Sequence, residues 1–541
     1  MSTVTYKSSP FNSQAKASAL TQRVFQGSLD VYTGSWTATQ AAHLVRRTHF
    51  GNKINDVNRA RTFPDATTAA ETLVDEAIST PLPDDPSWFK QGASGDINDF
   101  YDIQWNWMDS MYNGGLLEKM MLFWTNHFVV GYQGVAGKAG NSYANHMQNY
   151  MKLLHVSAFG NFKDLVYNMS VNPAMLYYLN GYVNDRSAPN EDFARELLEL
   201  FTLGILDRNG SPNYSDQQDP PGDVQEVARA CTGWRVNNNN FTSFLDNNAF
   251  DSTNKTIFGG SAQNYTLQMV VDRIFDEKPD EVAWFICKKL YTFFVSAIPN
   301  NSVIAEMATY FVQQNFDLAA LMKRLLSSQH FYEEEFIGSR IKSPVELYVG
   351  LLRELEVPPN TSMLEFLRVN MPEINQELLN PPNVAGWPGY NPPGSDDIPG
   401  HYAWLNTSVL PTRWNQLQDI IDGNGGVEWA SIRIAEKISN PSNPFELAID
   451  LAEHMLSMPL SQVGVRTVDD DFAGGAVPVP DSVLSRPEHE QNLMKIMLDG
   501  TPWYDWTAGV DNGDLFYPNS IDKLLKNYIA YLFQLPAYQL T

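Results

Sequence analysis

The sequence is poor in cysteine and in charge, and it lacks any long hydrophobic run. Only two cysteines occur in 541 residues, Cys231 and Cys287. That excludes a disulfide scaffold and a cysteine-rich zinc site. Both lie in apolar, helix-like contexts and read as buried free thiols. Charged residues make up 18% of the chain, below the roughly 25% of ordinary globular proteins. The deficit falls on the basic side: 37 Lys and Arg stand against 62 Asp and Glu, for a formal charge of −25. Such a chain has no general phosphate-neutralising surface, which argues against nucleic acid and against acidic membrane surfaces as partners. No apolar run of 18 residues is present, so no membrane span is expected. The first 18 residues, MSTVTYKSSPFNSQAKAS, have no apolar stretch of the secretory type. Also missing are a G-x-S-x-G elbow, a C-x-x-C pair, a dinucleotide fingerprint and a haem-attachment motif.

What is present is hydrophobic and aromatic material, 43% and 12% of residues, enough for a large core. Length alone allows roughly three or four domain-sized units. Helical periodicity runs through 37–48, 67–79, 98–130, 142–170, 190–204, 223–233, 280–295, 302–314, 317–328 and 343–355. Start signals accompany it. Thr37 to Gln40 and Ser343 to Glu346 have the spacing of capping boxes, the second with proline at the first helical position. Asp317 and Asn172-Pro173 stand before apolar runs. Strand-like alternation is scarce. The expected fold is therefore mainly α, one large multi-helix core with long irregular loops. We divide the chain into a polar arm (1–36), a helical domain (37–419) and a C-terminal helical extension (420–541) that closes on a helix over 520–534. Irregular segments are expected at 205–222, 235–266, 380–402 and 463–487. Loops of that length are usually functional or mobile.

Asn190 to Gly204, NEDFARELLELFTLG, concentrates charge in a charge-poor chain. Asn190 suits an N-cap and Gly204 a left-handed C′ position. At 100° per residue, Phe193, Leu197, Leu200 and Phe201 share a core face. Asp192, Glu196 and Glu199 form a stripe away from it. Arg195 is four residues from both Glu191 and Glu199 and can pair with either. A carboxylate cluster of this kind serves acid–base work or holds a cation. The same pattern also fits a solvated, ion-paired helix face.

Three other segments carry polar groups in apolar surroundings. In LLEKMMLFWTNHFVV, His127 is either a base or metal ligand tuned by burial, or a hydrogen-bonded core histidine. His146 and His155 share a helix but point to opposite faces. In DVQEVARACTGW, Glu226, Arg229 and Trp234 line a polar pocket or form a capped amphipathic helix. Arg229 has the geometry to fork onto a substrate carboxylate or onto Glu196. Residues 251–260, DSTNKTIFGG, resemble an ion-holding loop, yet match neither the EF-hand nor the P-loop.

Nine blocks in order carry a resemblance: QAAHLVRRTHFG (40–51), MLFWTNHFVV (121–130), HVSAFGNFKDLV (155–166), NPAMLYYLNG (172–181), NEDFARELLELFTLG, DVQEVARACTGW, KTIFGG (255–260), IKSPVELYVGLLR (341–353) and LNPPNVAGWPG (379–389). Together, over about 37 to 415, they resemble the bacterial family called "domain of unknown function 1800". The resemblance implies a mainly helical protein, often outside the cytoplasm, with no settled activity. Such genes commonly neighbour a second family, "domain of unknown function 1501", similar to sulfatases and alkaline phosphatases and often bearing a twin-arginine signal. Carriage by that partner would place this chain in the periplasm or beyond. Many members have histidine where Phe201 and Phe250 stand here, which shifts any metal site toward His127 and carboxylates.

Two readings follow. One is an exported, hydrolase-like enzyme acting on a polymer or an anionic substrate. Its site would be built from His127, Arg195, Glu196, Glu199 and Arg229, with a divalent metal as the cofactor to look for. The other is a non-catalytic escort for the sulfatase/phosphatase-like partner. Its contact surface would be the aromatic loop 380–404 with Trp387, Tyr390, Tyr402 and Trp404, which also suits carbohydrate.

Overall fold

Helices begin where a short polar side chain precedes an apolar run. The side chains of Thr37, Asn172, Asn190, Asp317, Ser343 and Ser520 each accept a backbone N–H from the first turn of the helix that follows. Ser343 and Glu346 form a reciprocal capping box. Thr37 caps through Thr39 N instead, and its hydroxyl bonds the Gln40 amide oxygen. The computed structural model describes residues 28–83, 97–390, 400–426, 429–469, 472, 477–513 and 520–541. Most of the proposed N-terminal arm, residues 1–27, and residues 391–399 of the aromatic loop lie outside them.

The architecture is mainly α. Two long expected segments are each split by a break in the chain. The 98–130 segment is Ile97–Asn113 and Leu116–His127, separated at Gly114-Gly115. The 142–170 segment is Tyr143–Ser157 and Phe162–Ser170, the second capped by Asn161. The final helix is Ile521–Gln534. Segment 235–266 is not wholly irregular. Trp234–Asn237 and Thr242–Leu245 pair as an antiparallel hairpin, with Trp234 opposite Leu245 and Asn237 opposite Thr242. The asparagine run Asn237–Asn240 enters its turn, where side-chain amides bond nearby backbone. It is the only sheet among the described residues.

One contiguous set of buried apolar side chains runs from Leu29 to Tyr538. Residues beyond 420 share it. The Pro444–Met455, Glu488–Leu498 and Ile521–Gln534 helices pack together. The chain end then returns to the 340s: Thr541 N donates to Arg340 O at 2.7 Å, and Lys342 N to Gln539 O at 2.8 Å. The Tyr538 hydroxyl donates to Glu354 at 2.7 Å. Cys231 and Cys287 are buried free thiols.

Charge is buried at the centre of this core. Lys119 and Glu346 are ion-paired with almost no exposure. Glu346 also accepts Ser343 N at 2.8 Å. Arg353, fully buried, donates to Gly51 O, Met111 O, Gly114 O and Asp56. These pairs tie the 340–354 region to the Ile54–Arg61, Ile97–Asn113 and Leu116–His127 helices.

Candidate functional site

The NEDFARELLELFTLG segment starts as an α-helix, Glu191–Glu196, and widens into a π-turn, Leu197–Thr202. Leu203 N reaches back five residues to Leu198 O at 2.9 Å, and the Thr202 hydroxyl bonds Leu197 O at 2.6 Å. π-turns inside helices are rare and concentrate at functional sites. Phe193, Leu197, Leu198 and Phe201 are buried, while Leu200 is only partly so. The carbonyls that the π-turn leaves open find side-chain donors. Phe201 O lies 3.2 Å from His127 Nε2, Leu200 O accepts from Lys289 at 3.3 Å, and Asn213 donates to Leu203 O and Gly204 O.

Arg195 and Glu199 of this segment border an open cleft of about 890 Å³, whose lining does not include Asp192 or Glu196. Arg195, Glu199, Tyr214, Asp216, Phe258 and Lys278 line it. Arg195 pairs with Glu191 at 3.1 Å and with Asp216. The expected Arg195–Glu199 pair does not form. Glu199 instead accepts the Tyr214 hydroxyl at 3.3 Å. Burial and the Glu199 carboxylate push the Tyr214 phenol up to about 12, so it stays a donor. Glu196 lies one turn back, half-buried. Burial, then the charge of Glu199, raises its carboxyl to about 7 against the pull of Arg195.

The far wall is built on Asp223. Its carboxylate accepts Ser215 N and Oγ, each at 2.8 Å, and Phe258 N at 2.6 Å. Phe258 is held at φ 49°. A bulky residue in the left-handed region is strained and persists only where its surroundings impose it.

Glu196 makes stability depend on pH in a definite sense. A carboxyl raised in the folded state keeps its proton when the unfolded chain has lost it, so stability falls as pH climbs from about 4.5 to about 7. Below that window both states are protonated and the effect vanishes. Glu196→Gln should therefore raise the melting temperature at pH 8 and leave it unchanged at pH 4. Equal effects at both pH values would refute the assignment.

His127 and Arg229 stand apart from the cleft. His127 sits in an enclosed pocket with Phe123, Asn126, Lys289, Phe293 and Tyr390. Burial, with Lys289 beside it, holds its imidazole well below the ordinary value. Arg229 spends its donors within the protein, on Glu226 at 2.9 Å, Asp251 at 2.8 Å, Thr253 and Asn254 O. Burial opposes ionisation of Asp251, but hydrogen bonds from Thr253 and Arg229 prevail and hold it down to about 2. The cation held by the 251–260 loop is the protein's own Lys255. Its buried ammonium donates to Thr253 O at 2.9 Å and to Asn264 at 3.2 Å. His146 bonds Asn238 at 2.9 Å and His155 lies 3.1 Å from Thr80 O, so both have structural partners.

The family model described as "Protein of unknown function (DUF1800)" matches residues 43–540. The chain belongs to this family. The match runs well past residue 389, where the last motif block ends, so the C-terminal helices are part of the family's unit. No curated protein and no solved structure matches the chain. Among the described residues no group of three or more His, Cys, Asp or Glu side chains is placed to hold a metal ion. In the DUF1800 chain, too, no described helix is long and apolar enough to cross a membrane.

The aromatic loop needs correction as a contact surface. Trp387, Tyr390 and Trp404 are buried, at 1%, 6% and 1% exposure, and only Tyr402 faces solvent, at 54%. Tyr390 packs edge-on against Trp404 at 4.5 Å. Aromatic rings beside glycine and proline fill a core here, which removes the aromatic basis of the escort reading. Lys289 is a candidate that sequence reasoning passed over. It lies in an amphipathic helix, Pro279–Phe294, where a lysine ordinarily marks the solvated face. Nothing local signals its neighbour His127, 162 positions away.

Proposed function

We propose that the 890 Å³ cleft is the active site of a hydrolase working by general acid–base catalysis on a polysaccharide. The carrying observation is a pair of interacting carboxyls three residues apart in unlike environments, Glu199 lining the cleft and Glu196 one turn behind it on the same segment. Glu199 is held by a phenol, and Glu196 is raised to about 7 by burial and by Glu199 itself. A carboxyl that burial and a like charge keep protonated toward neutrality can serve as the acid beside a second carboxyl that serves as base. Glu196 gives its proton to the leaving oxygen as the bond to the sugar carbon breaks. A water attacks that carbon, and Glu199 takes the water's proton.

The lining supports the substrate class. Tyr214 and Phe258 offer ring faces, and Ser215 and Gln217 offer hydrogen bonds for hydroxyls. Lys278 also lines the cleft and makes no ion pair among the described residues, which leaves it for a single anionic group. A net charge of −25 disfavours densely anionic polymers, so the class is neutral or sparsely anionic polysaccharide. An extracytoplasmic setting suits such a polymer. In this reading Arg195 fixes the stripe, Arg229 holds the 251–256 loop that leads to Phe258, and His127 supports the π-turn.

The pH–rate profile tests the assignment. With Glu196 as acid, kcat/KM should fall as pH rises above about 7. A profile flat from pH 6 to pH 9 would remove Glu196 from the mechanism.

A further inference from the structure

We propose that Lys289 is a covalent binding site for small carbonyl compounds, its amine condensing with an aldehyde or ketone to an imine. This site is separate from the cleft and does not depend on the hydrolase reading.

The geometry favours a free amine. Lys289 Nζ has two hydrogen-bond acceptors, Leu200 O at 3.3 Å and His127 Nδ1 at 3.3 Å. A neutral amine has two N–H groups to match them, which leaves its lone pair for the pocket. The third N–H of an ammonium would face a lining made mostly of rings: Phe285 lies 4.6 Å from Nζ, and Phe123, Phe293 and Tyr390 line the pocket, with Asn126 its one polar side chain besides His127 and Lys289. Among the described residues Lys289 forms no ion pair. Burial pulls the amine down to about 7, in keeping with that geometry. Lysines desolvated in apolar pockets are activated as nucleophiles.

His127 is placed to move the proton. Its Nε2 faces a carbonyl oxygen, Phe201 O, so Nε2 carries the hydrogen and Nδ1 presents a lone pair to Lys289. The nitrogen lone pair attacks the carbonyl carbon, and the carbonyl π pair moves onto oxygen. His127 Nδ1 takes one proton from nitrogen and returns it to that oxygen, giving a carbinolamine; the remaining N–H proton follows the same route to the hydroxyl, and water leaves as C=N forms. The free space in the pocket, about 10 Å³, takes about one water-sized group. Lys289 keeps part of its surface in solvent, so a substituent extends outward and the carbonyl must be small.

Reductive trapping decides the matter on the intact protein. Sub-stoichiometric acetaldehyde with cyanoborohydride at pH 7, followed by peptide mass mapping, should label Lys289 at least about tenfold faster than an exposed lysine such as Lys523. The labelling rate should rise through a midpoint near pH 7. His127→Gln should slow labelling at Lys289 and leave the exposed lysines as they were. Label spread evenly over the exposed lysines, or a midpoint above pH 9, would overturn the proposal. Lys289→Arg, which keeps a donor for Leu200 O, should lose the selective label and retain the fold by circular dichroism.

Discussion

Glu346→Ala is expected to destabilise the protein by about 3–5 kcal/mol, because it strands a buried charge. Lys119 and Glu346 are 1% and 3% exposed at the side chain, and Arg340 stands 4.0 Å from the same carboxylate. Burial alone would raise Glu346. Lys119, Arg340 and the Ser343 N–H outweigh it and hold the carboxyl down at about 2. Without that carboxylate, Lys119 keeps only His49 O, at 2.9 Å, and Ser343 N loses its acceptor. Whole domains are stable by only about 5–15 kcal/mol, so the loss is a large fraction. The paired change Lys119→Met with Glu346→Leu should cost less than the sum of the single changes. Urea unfolding of the three variants measures this. Additive losses would mean that the pair is not coupled. The sign with pH is the reverse of that at Glu196. A lowered carboxyl contributes fully above about 4.5, and its contribution fades as pH falls toward about 2.

At the cleft, Glu199→Gln should lower kcat by about 10²- to 10⁴-fold, the usual worth of a positioned base. The amide keeps the size of the side chain and can still accept from Tyr214, so binding should change little and KM should stay near its original value. Tyr214→Phe removes only the orienting hydrogen bond and should act more weakly, in kcat. Loss in KM alone would make Glu199 a binding group.

Much of the helical framework was legible because it is written locally. Asn190, Asp317 and Ser343 cap through contacts two or three residues away, and Glu191 pairs with Arg195 across one turn. Features that depend on distant partners were not. The π-turn at Leu197–Thr202 is stabilised by donors from His127, Lys289 and Asn213, none of them in the segment. It also alters the angular register at Glu199, which helps explain why Glu199 meets Tyr214 rather than Arg195. Arg229 was expected to reach a substrate or Glu196, but Asp251, 22 residues on, takes it instead. The helix Pro444–Met455 was legible in principle. Asn443-Pro444 caps it as Asn172-Pro173 caps its own helix, but the acidic, weakly patterned surroundings hid the signal.

The central claim is that the cleft hydrolyses a polysaccharide with Glu196 and Glu199 as acid and base. Release of reducing ends from a panel of neutral and sparsely anionic polysaccharides, with the wild type and Glu199→Gln side by side at pH 6, tests it most directly. The account predicts new reducing ends with the wild type on at least one polymer, and a rate at least about 100-fold lower with Glu199→Gln. No reducing ends from any polymer, or equal release by the two proteins, would contradict it.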